Sequence, residues 1–420
     1  MLSAAPGPNR MRILRVVSPN GPKTVYRPEI DREALIHDRR NRVRARMVEH
    51  GVAACLLFDP INIRYATGAR NMQVFHQRNP SRYLFLPVEG PVVLFEFSGA
   101  HHLAEDLSTI DEVRPATTAS FVAAGPAIAD AERRWAAEAV DLLRQVVGDG
   151  ATIGLERINH GASTAVADAG FRIVDAQASV EMARAIKGPD ELLCIRESLR
   201  ATERAVHALR DAIQPGLTEN ELWAELHRVV VAEGGDYIET RLMTAGTNTN
   251  PWFQETGDSP IEPNVLVALD TDVVGCHGYY SDFSRTFHVG PDAPTREQRR
   301  LYRLAHEQVH HNMAIIEPGL TFREYADRAW DIPSEFATQR YYLSAHGVGM
   351  TGEYPYLYHR HDFAESGYDG VIEPGMTLCV ESYIGAEGGK EGVKLEEQVL
   401  VNEDGTELLS DFPFEPDLLE

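Results

Sequence analysis

No stretch of this chain is apolar for long enough to cross a bilayer, and positive charge is in short supply. The formal net charge is −23, from 63 acidic and 40 basic residues, which argues against nucleic acid or an anionic membrane surface as a partner. Cysteine is scarce. Cys55, Cys194, Cys276 and Cys379 form no CxxC pair, and three of them stand inside apolar runs, as buried free thiols of a reducing compartment do. The opening "MLSAAPGPNRMRILRVV" lacks an uninterrupted signal-peptide core, so the expected location is the cytoplasm. No phosphate-binding glycine loop and no nucleophilic Ser/His/Asp set stands out.

What is present is a globular pattern in two parts, since 420 residues exceed one ordinary core. Residues 1–30 are rich in Pro, Arg and Asn and read as an N-terminal arm. From 31 to 186 the short β-rich runs "AACLLFD", "YLFLPVEGPVVLFEF" and "ATIGLE" alternate with helical patterns. One of these, "AERRWAAEAVDLLRQVVG", carries apolar residues at helical spacing and ends at a glycine. The boundary is expected near Lys187, with "GPDELL" opening a long helix to about 213 and Thr218 capping the next. Over 187–420 strands dominate, with helices expected at about 295–316 and 321–330.

That second part sets acids into strand-like surroundings. "VALDTDVVGCHGYYSDFSRTF" carries Asp270, Asp272 and Asp282; His346 follows in "AHGVGM", Glu381 in "TLCVESYIG" and Glu396 in "VKLEEQVLV". Strand alternation puts Asp270 and Asp272 on one face, and Asp282 pairs with them across the "GCHGYY" turn. Any one of these acids alone reads as an ordinary surface carboxylate. Five gathered in an interior with one imidazole demand cations, and such an oxygen-rich set suits two divalent ions of iron, manganese, cobalt or zinc.

In order and flanking sequence these residues resemble the creatinase/methionine aminopeptidase superfamily, whose fold is called pita-bread. The resemblance covers about 35–418 and implies an α+β architecture: a creatinase-like N-terminal α/β domain plus a C-terminal pita-bread catalytic domain, here 187–420. Ordinary members place one aspartate 11 residues before the second, a position that holds Thr271 here, bracketed by Asp270 and Asp272. That DxD, with "FDPINIRYATGARNMQVF", "IKGPDE", "ETRLMTAGTNTNPWFQE" and "EGGKEGVKLEEQVL", resembles the pita-bread type of dimethylsulfoniopropionate (DMSP) lyase. The narrower resemblance implies that Asp270, Asp272, Asp282, His346, Glu381 and Glu396 hold two metal ions, typically iron. It also implies β-elimination on a small carboxylate, and a homodimer to which "NIRYATGARNMQVFHQRNP" contributes.

Two departures matter. The superfamily's peptidases carry a histidine upstream of the leading aspartate, where this chain reads "NPWFQETG", and another seven residues after the metal histidine, where it has Glu353. The lyases carry a general-base aspartate six residues after the metal histidine, where this chain has Gly352, while their tyrosine is kept as Tyr341. Glu353 is then the candidate base, or the substrate differs. Trp252 and Phe75 are candidates to hold a sulfonium cation against their rings, with core packing as the plain alternative. A hydrolase of the same fold, such as an Xaa-Pro dipeptidase or a creatinase-like C–N hydrolase, is the rival reading, and a binding protein without catalysis a third. "HEQVH", His306–His310, matches a zinc-protease pattern, but Tyr302, His306 and His310 fall off the apolar stripe of their helix, where a solvated face is expected.

Overall fold

The computed structural model describes residues 30–420 in full and, ahead of them, only the backbone of a hairpin, Arg12–Ser18 paired antiparallel with Gly21–Arg27. The arm expected over residues 1–30 otherwise lies outside the described residues. The described chain folds as two compact units, Ile30–Arg184 and Ala185–Glu420.

The first unit is built on a six-stranded mixed sheet. Its strands run in the order Glu112–Pro115, Val93–Glu96, Tyr83–Pro87, Ala54–Leu57, Thr152–Leu155 and Arg172–Asp175. The central strands are buried along their whole length, which explains their unbroken apolar sequence. The helix Ile128–Val147 lays Trp135, Ala139, Leu142 and Leu143 on the sheet, one face at helical spacing, and stops at Gly148 with φ +80°.

The second unit opens with helices Pro189–Ala212 and Glu219–Ala232. The second of these is capped reciprocally: Glu221 N donates to Thr218 Oγ1 at 3.2 Å and Thr218 N to the Glu221 carboxylate at 2.8 Å. Strands Met243–Ala245, Leu266–Asp270 and Ser284–His288 form one sheet. A larger one runs Gly352–Leu357, Ala345–Val348, Thr377–Ile384, Val393–Asn402, Gly405–Leu408. The helix Arg296–Ala314 packs Leu301, Ala305 and Val309 against Ile384, Val393 and Leu395.

That helix corrects one expectation. Tyr302 is fully buried, its hydroxyl accepting from Glu415 N at 2.9 Å, so the apolar face is broader than the stripe read from sequence. His310 is exposed and His306 half-buried, their rings stacked at 3.9 Å, and neither joins a group of metal-ligating side chains among the described residues.

Candidate metal centre

The strand Leu266–Asp270 ends at Asp270, where the chain bends: Asp272 has φ +41°, a left-handed conformation that aspartate tolerates better than most residues. Plain strand alternation therefore does not place these two acids. The residue between them does. Thr271 is fully buried, its hydroxyl donating to Ser281 O at 3.2 Å and accepting from Phe283 N at 3.0 Å. This strut ties the bend to the chain on either side of Asp282 and brings Asp270, Asp272 and Asp282 together, one carboxylate oxygen of each lying within 4.8 Å of the others.

The larger sheet brings the rest. His346 is register-paired with Cys379, and Glu381 with Glu396. Two buried carboxylates directly opposite each other on adjacent strands repel. Lys394, fully buried and two residues before Glu396, lies between them: its Nζ donates to Glu381 Oε2 at 2.8 Å and Glu396 Oε2 at 3.0 Å, and to Ser284 Oγ at 2.9 Å. It also stands 3.4 Å from Asp270 Oδ2.

One ammonium does not balance five carboxylates, and the electrostatics say so. Burial pushes Asp270, Asp272 and Asp282 up from the usual carboxylate range, and Glu381 up to about 7. Burial acts on Glu396 in the same sense, but Lys394 and His346 outweigh it and hold that group low. Burial pulls His346 down, and Glu396 and Glu381 reverse this, raising it to about 9. The cluster thus gathers protons for want of positive charge.

The geometry fits a divalent cation. Asp282 Oδ1, Glu381 Oε1 and Glu396 Oε1 are buried without a hydrogen-bond partner. His346 Nε2 faces the same space, 3.4 Å from Glu396 Oε1, 3.6 Å from Asp282 Oδ2 and 3.7 Å from Glu381 Oε1. These separations exceed the ~2.7–2.9 Å of charge-assisted hydrogen bonds. Hard oxygen donors with one imidazole are the donor set of divalent transition metals.

Above this floor lies a cavity of about 540 Å³. All six sequence-predicted metal ligands line it, as do Tyr341 and Gly352. A Cβ at Gly352 would meet nothing nearer than the His346 ring at 3.9 Å, and its backbone has no left-handed φ. Glu353, the candidate base, is not among the residues lining the cavity. The carboxylate is buried on the other side of the Gly352–Leu357 strand, 2.6 Å from Lys187 Nζ.

The two aromatic candidates also move. Trp252 is buried against Leu242, Ala268 and Tyr383, the core role. Its neighbour Phe253 takes the wall, with φ +71°, a strained conformation for a bulky residue, and its ring 5.2 Å from that of Tyr341. Phe75 belongs to the first unit, where it is half exposed and packs edge-on to Phe97 and His76. Tyr342 and Tyr356 continue the run of rings from Tyr341 towards His346.

Sequence reasoning passed over Lys394 and Cys379. Cys379 Sγ lies with ligand atoms of Asp282, His346 and Glu396, all within 4.8 Å of one another. Both residues stand two positions before a glutamate ligand, and the two-residue period of a strand was the signal that could have found them.

A two-unit fold with an acid-and-imidazole centre in its second unit defines a class, the pita-bread metalloenzymes. Within it, this chain belongs to metallopeptidase family M24, whose profile matches residues 193–403, while residues 39–186 match the creatinase/prolidase N-terminal domain. It is 35% identical, over 93% of its length and 88% of the relative's, to dimethylsulfoniopropionate lyase DddP of Roseovarius nubinhibens. The probable dipeptidase PepE of Mycobacterium bovis is 25% identical over 55% of this chain and 60% of its own. Among solved structures, dipeptidase PepE from Mycobacterium ulcerans superposes with a TM-score of 0.73 at 21% identity, covering 92% of this chain and 98% of that one. The Xaa-Pro dipeptidase from Bacillus anthracis gives 0.71 at 22% identity, covering 90% and 99%. At such identities the structures speak to the fold alone. Enzymes of this family use divalent metal ions, and the residues here fit them.

Proposed function

We propose that the chain is a two-metal lyase acting on a small carboxylate that carries an onium group, with DMSP the leading substrate and dimethyl sulfide and acrylate the products. The observation that carries this reading is the cavity itself. A floor of carboxylates and one imidazole is walled by Phe253, Tyr341, Tyr342 and Tyr356, with Glu239 and Glu255 also facing the space. Ring faces and acids favour a cation. His346 is the one histidine among the described lining residues, so the two histidines that the peptidases use have no counterpart on this wall.

Asp270, Asp272, Asp282, His346, Glu381 and Glu396 would hold the ions, iron first, with manganese, zinc or cobalt as alternatives. When bound, the ions supply the positive charge that grips a substrate carboxylate and acidifies its α-carbon. Tyr341 is pushed well up by burial, then by Glu381 and Asp270, so it stays protonated and can donate to a substrate carboxylate oxygen. In the elimination the α C–H bond breaks, its electron pair becomes the Cα–Cβ double bond, and the carbon–sulfur pair leaves on neutral sulfide. Gly352 offers no proton acceptor, so the proton goes to water, slowly.

The same reading carries a homodimer, from the N-terminal motif, and a cytoplasmic setting in keeping with four buried free thiols. Light scattering at micromolar concentration reads the first directly, and a monomer there would remove it. The main test is to load the protein with iron or manganese and assay DMSP beside X-Pro dipeptides and creatine. Acrylate release is expected. Dipeptide hydrolysis without acrylate release would replace this reading with the hydrolase.

A further inference from the structure

The oxygens of the acid cluster are not equally free. Every buried carboxylate oxygen of the ligand set without a partner, Asp282 Oδ1, Glu381 Oε1 and Glu396 Oε1, belongs to a side chain that faces His346. Of the other oxygens, Asp282 Oδ2 faces His346 Nε2 at 3.6 Å, and the rest lie nearer to donors. Asp272 accepts from Tyr280 Oη at 2.9 Å and from Thr240 Oγ1. Asp270 Oδ1 accepts from Ser284 Oγ at 2.8 Å and from Thr271 N at 3.1 Å. The outer oxygens of Glu381 and Glu396 are held by Lys394, which also stands beside Asp270 Oδ2.

We propose that Lys394 is a positioning residue that acts as a resident cation, fixing the outer oxygens of Glu381 and Glu396 and standing in for part of the charge of the second metal ion. Five carboxylates carry −5, and Lys394 with two divalent ions carries +5, so the loaded centre is neutral only with the lysine counted. The ammonium shares Asp270 and Glu396 with any ion bound beside Asp272, and repels it at short range. Lys394 therefore sets how tightly the second ion binds, while the His346 side, which it leaves open, takes the first. This rests on the metal reading of the cluster.

The experiment titrates metal-free protein with cobalt(II), following visible absorption and counting ions by elemental analysis after gel filtration. In wild type the first ion is expected at least about tenfold tighter than the second, because a unit charge a few ångströms away in a poorly solvated site is worth more than one decade. K394M should tighten the second ion by about tenfold or more and leave the first within about threefold, while K394R should keep the wild-type ratio. Circular dichroism reports folding. Should K394M not fold, K394Q, which keeps a hydrogen-bond donor without the charge, reads the same ratio. Unchanged affinities in the charge-free variant, or a parallel weakening of both ions, would overturn the proposal and leave Lys394 a structural prop. No cobalt uptake by wild type would instead remove the metal reading and this inference with it.

Discussion

Glu381 and Glu396 stand directly opposite each other on neighbouring antiparallel strands, and the single ammonium of Lys394 donates to the Oε2 atom of both. Each glutamate thereby keeps one oxygen bound and one bare. The bare ones lie on the His346 side, where nothing in the protein satisfies them. A protein that buries acids in this way is organised around a charge its polypeptide does not carry.

Asp282 is the one residue common to both groups of ligand atoms. D282A should therefore lose both ions rather than one, read as metal per chain by elemental analysis. Chelation of wild type should lower its thermal midpoint, because repulsion in the emptied cluster is no longer offset. A folded D282A with wild-type metal content would reject the assignment.

Gly352 has open space where its side chain would be, directed at the His346 ring. G352D should raise acrylate release from DMSP by about 10²–10⁴-fold, the usual range for a positioned base. No gain, with both metals bound, would point to a different substrate.

Glu353 should matter for stability and not for chemistry. E353A leaves the buried Lys187 ammonium with only the Ala185 carbonyl oxygen, and breaking such an ion pair costs about 3–5 kcal/mol. The midpoint should fall in denaturant melts while kcat of the folded enzyme stays near wild type. A collapse of kcat with an unchanged midpoint would restore Glu353 as the base.

Phe253 is the most solvent-exposed of the aromatic residues lining the cavity, and among them it alone has a left-handed backbone. F253A should raise KM for an onium substrate by about tenfold while changing kcat little, the size of a partly desolvated cation–π contact. W252F should do less to KM. Equal losses for a neutral isostere of the substrate would show that Phe253 only fills space.

His359 fixes the loop of Tyr341, its Nε2 lying 2.9 Å from the Tyr341 carbonyl oxygen. Burial lowers it from 6.5 to about 4, against the smaller opposing pull of Asp362. The folded protein thus favours the neutral ring, so the contribution to stability is whole above pH 6.5 and is lost as the pH falls from there towards 4. Thermal melts should show this decline, and H359N should flatten it.

Much of the fold was legible in the sequence because its signals were local. Thr218 with Glu221, the helical spacing around Trp135 and the flanks of each acid carry their meaning within a few residues. What was not legible depended on contacts across strands. Glu353 and Gly352 are neighbours in sequence yet face opposite sides, and only the pairing of their strand decides which one meets the cavity. Trp252 and Phe253 present the same difficulty, compounded by a left-handed backbone that no pattern of residue types announces. Lys394 was passed over because, apart from Glu396 two residues on, its partners Ser284, Glu381 and Asp270 lie on other strands.

The pairing of Thr377–Ile384 with Val393–Asn402 has a consequence for how the protein finds its shape. Cys379 and Glu381 alternate with Leu378 and Val380 of the apolar core, and Lys394 and Glu396 with Val393 and Leu395. A slip of one residue in either strand would drive its ligand glutamate into hydrocarbon and turn leucine or valine towards the carboxylates, an error of many kilocalories rather than a few. The acids that make the centre costly to assemble also make its misassembly costlier still. They act as a proofreading device for the sheet that carries them.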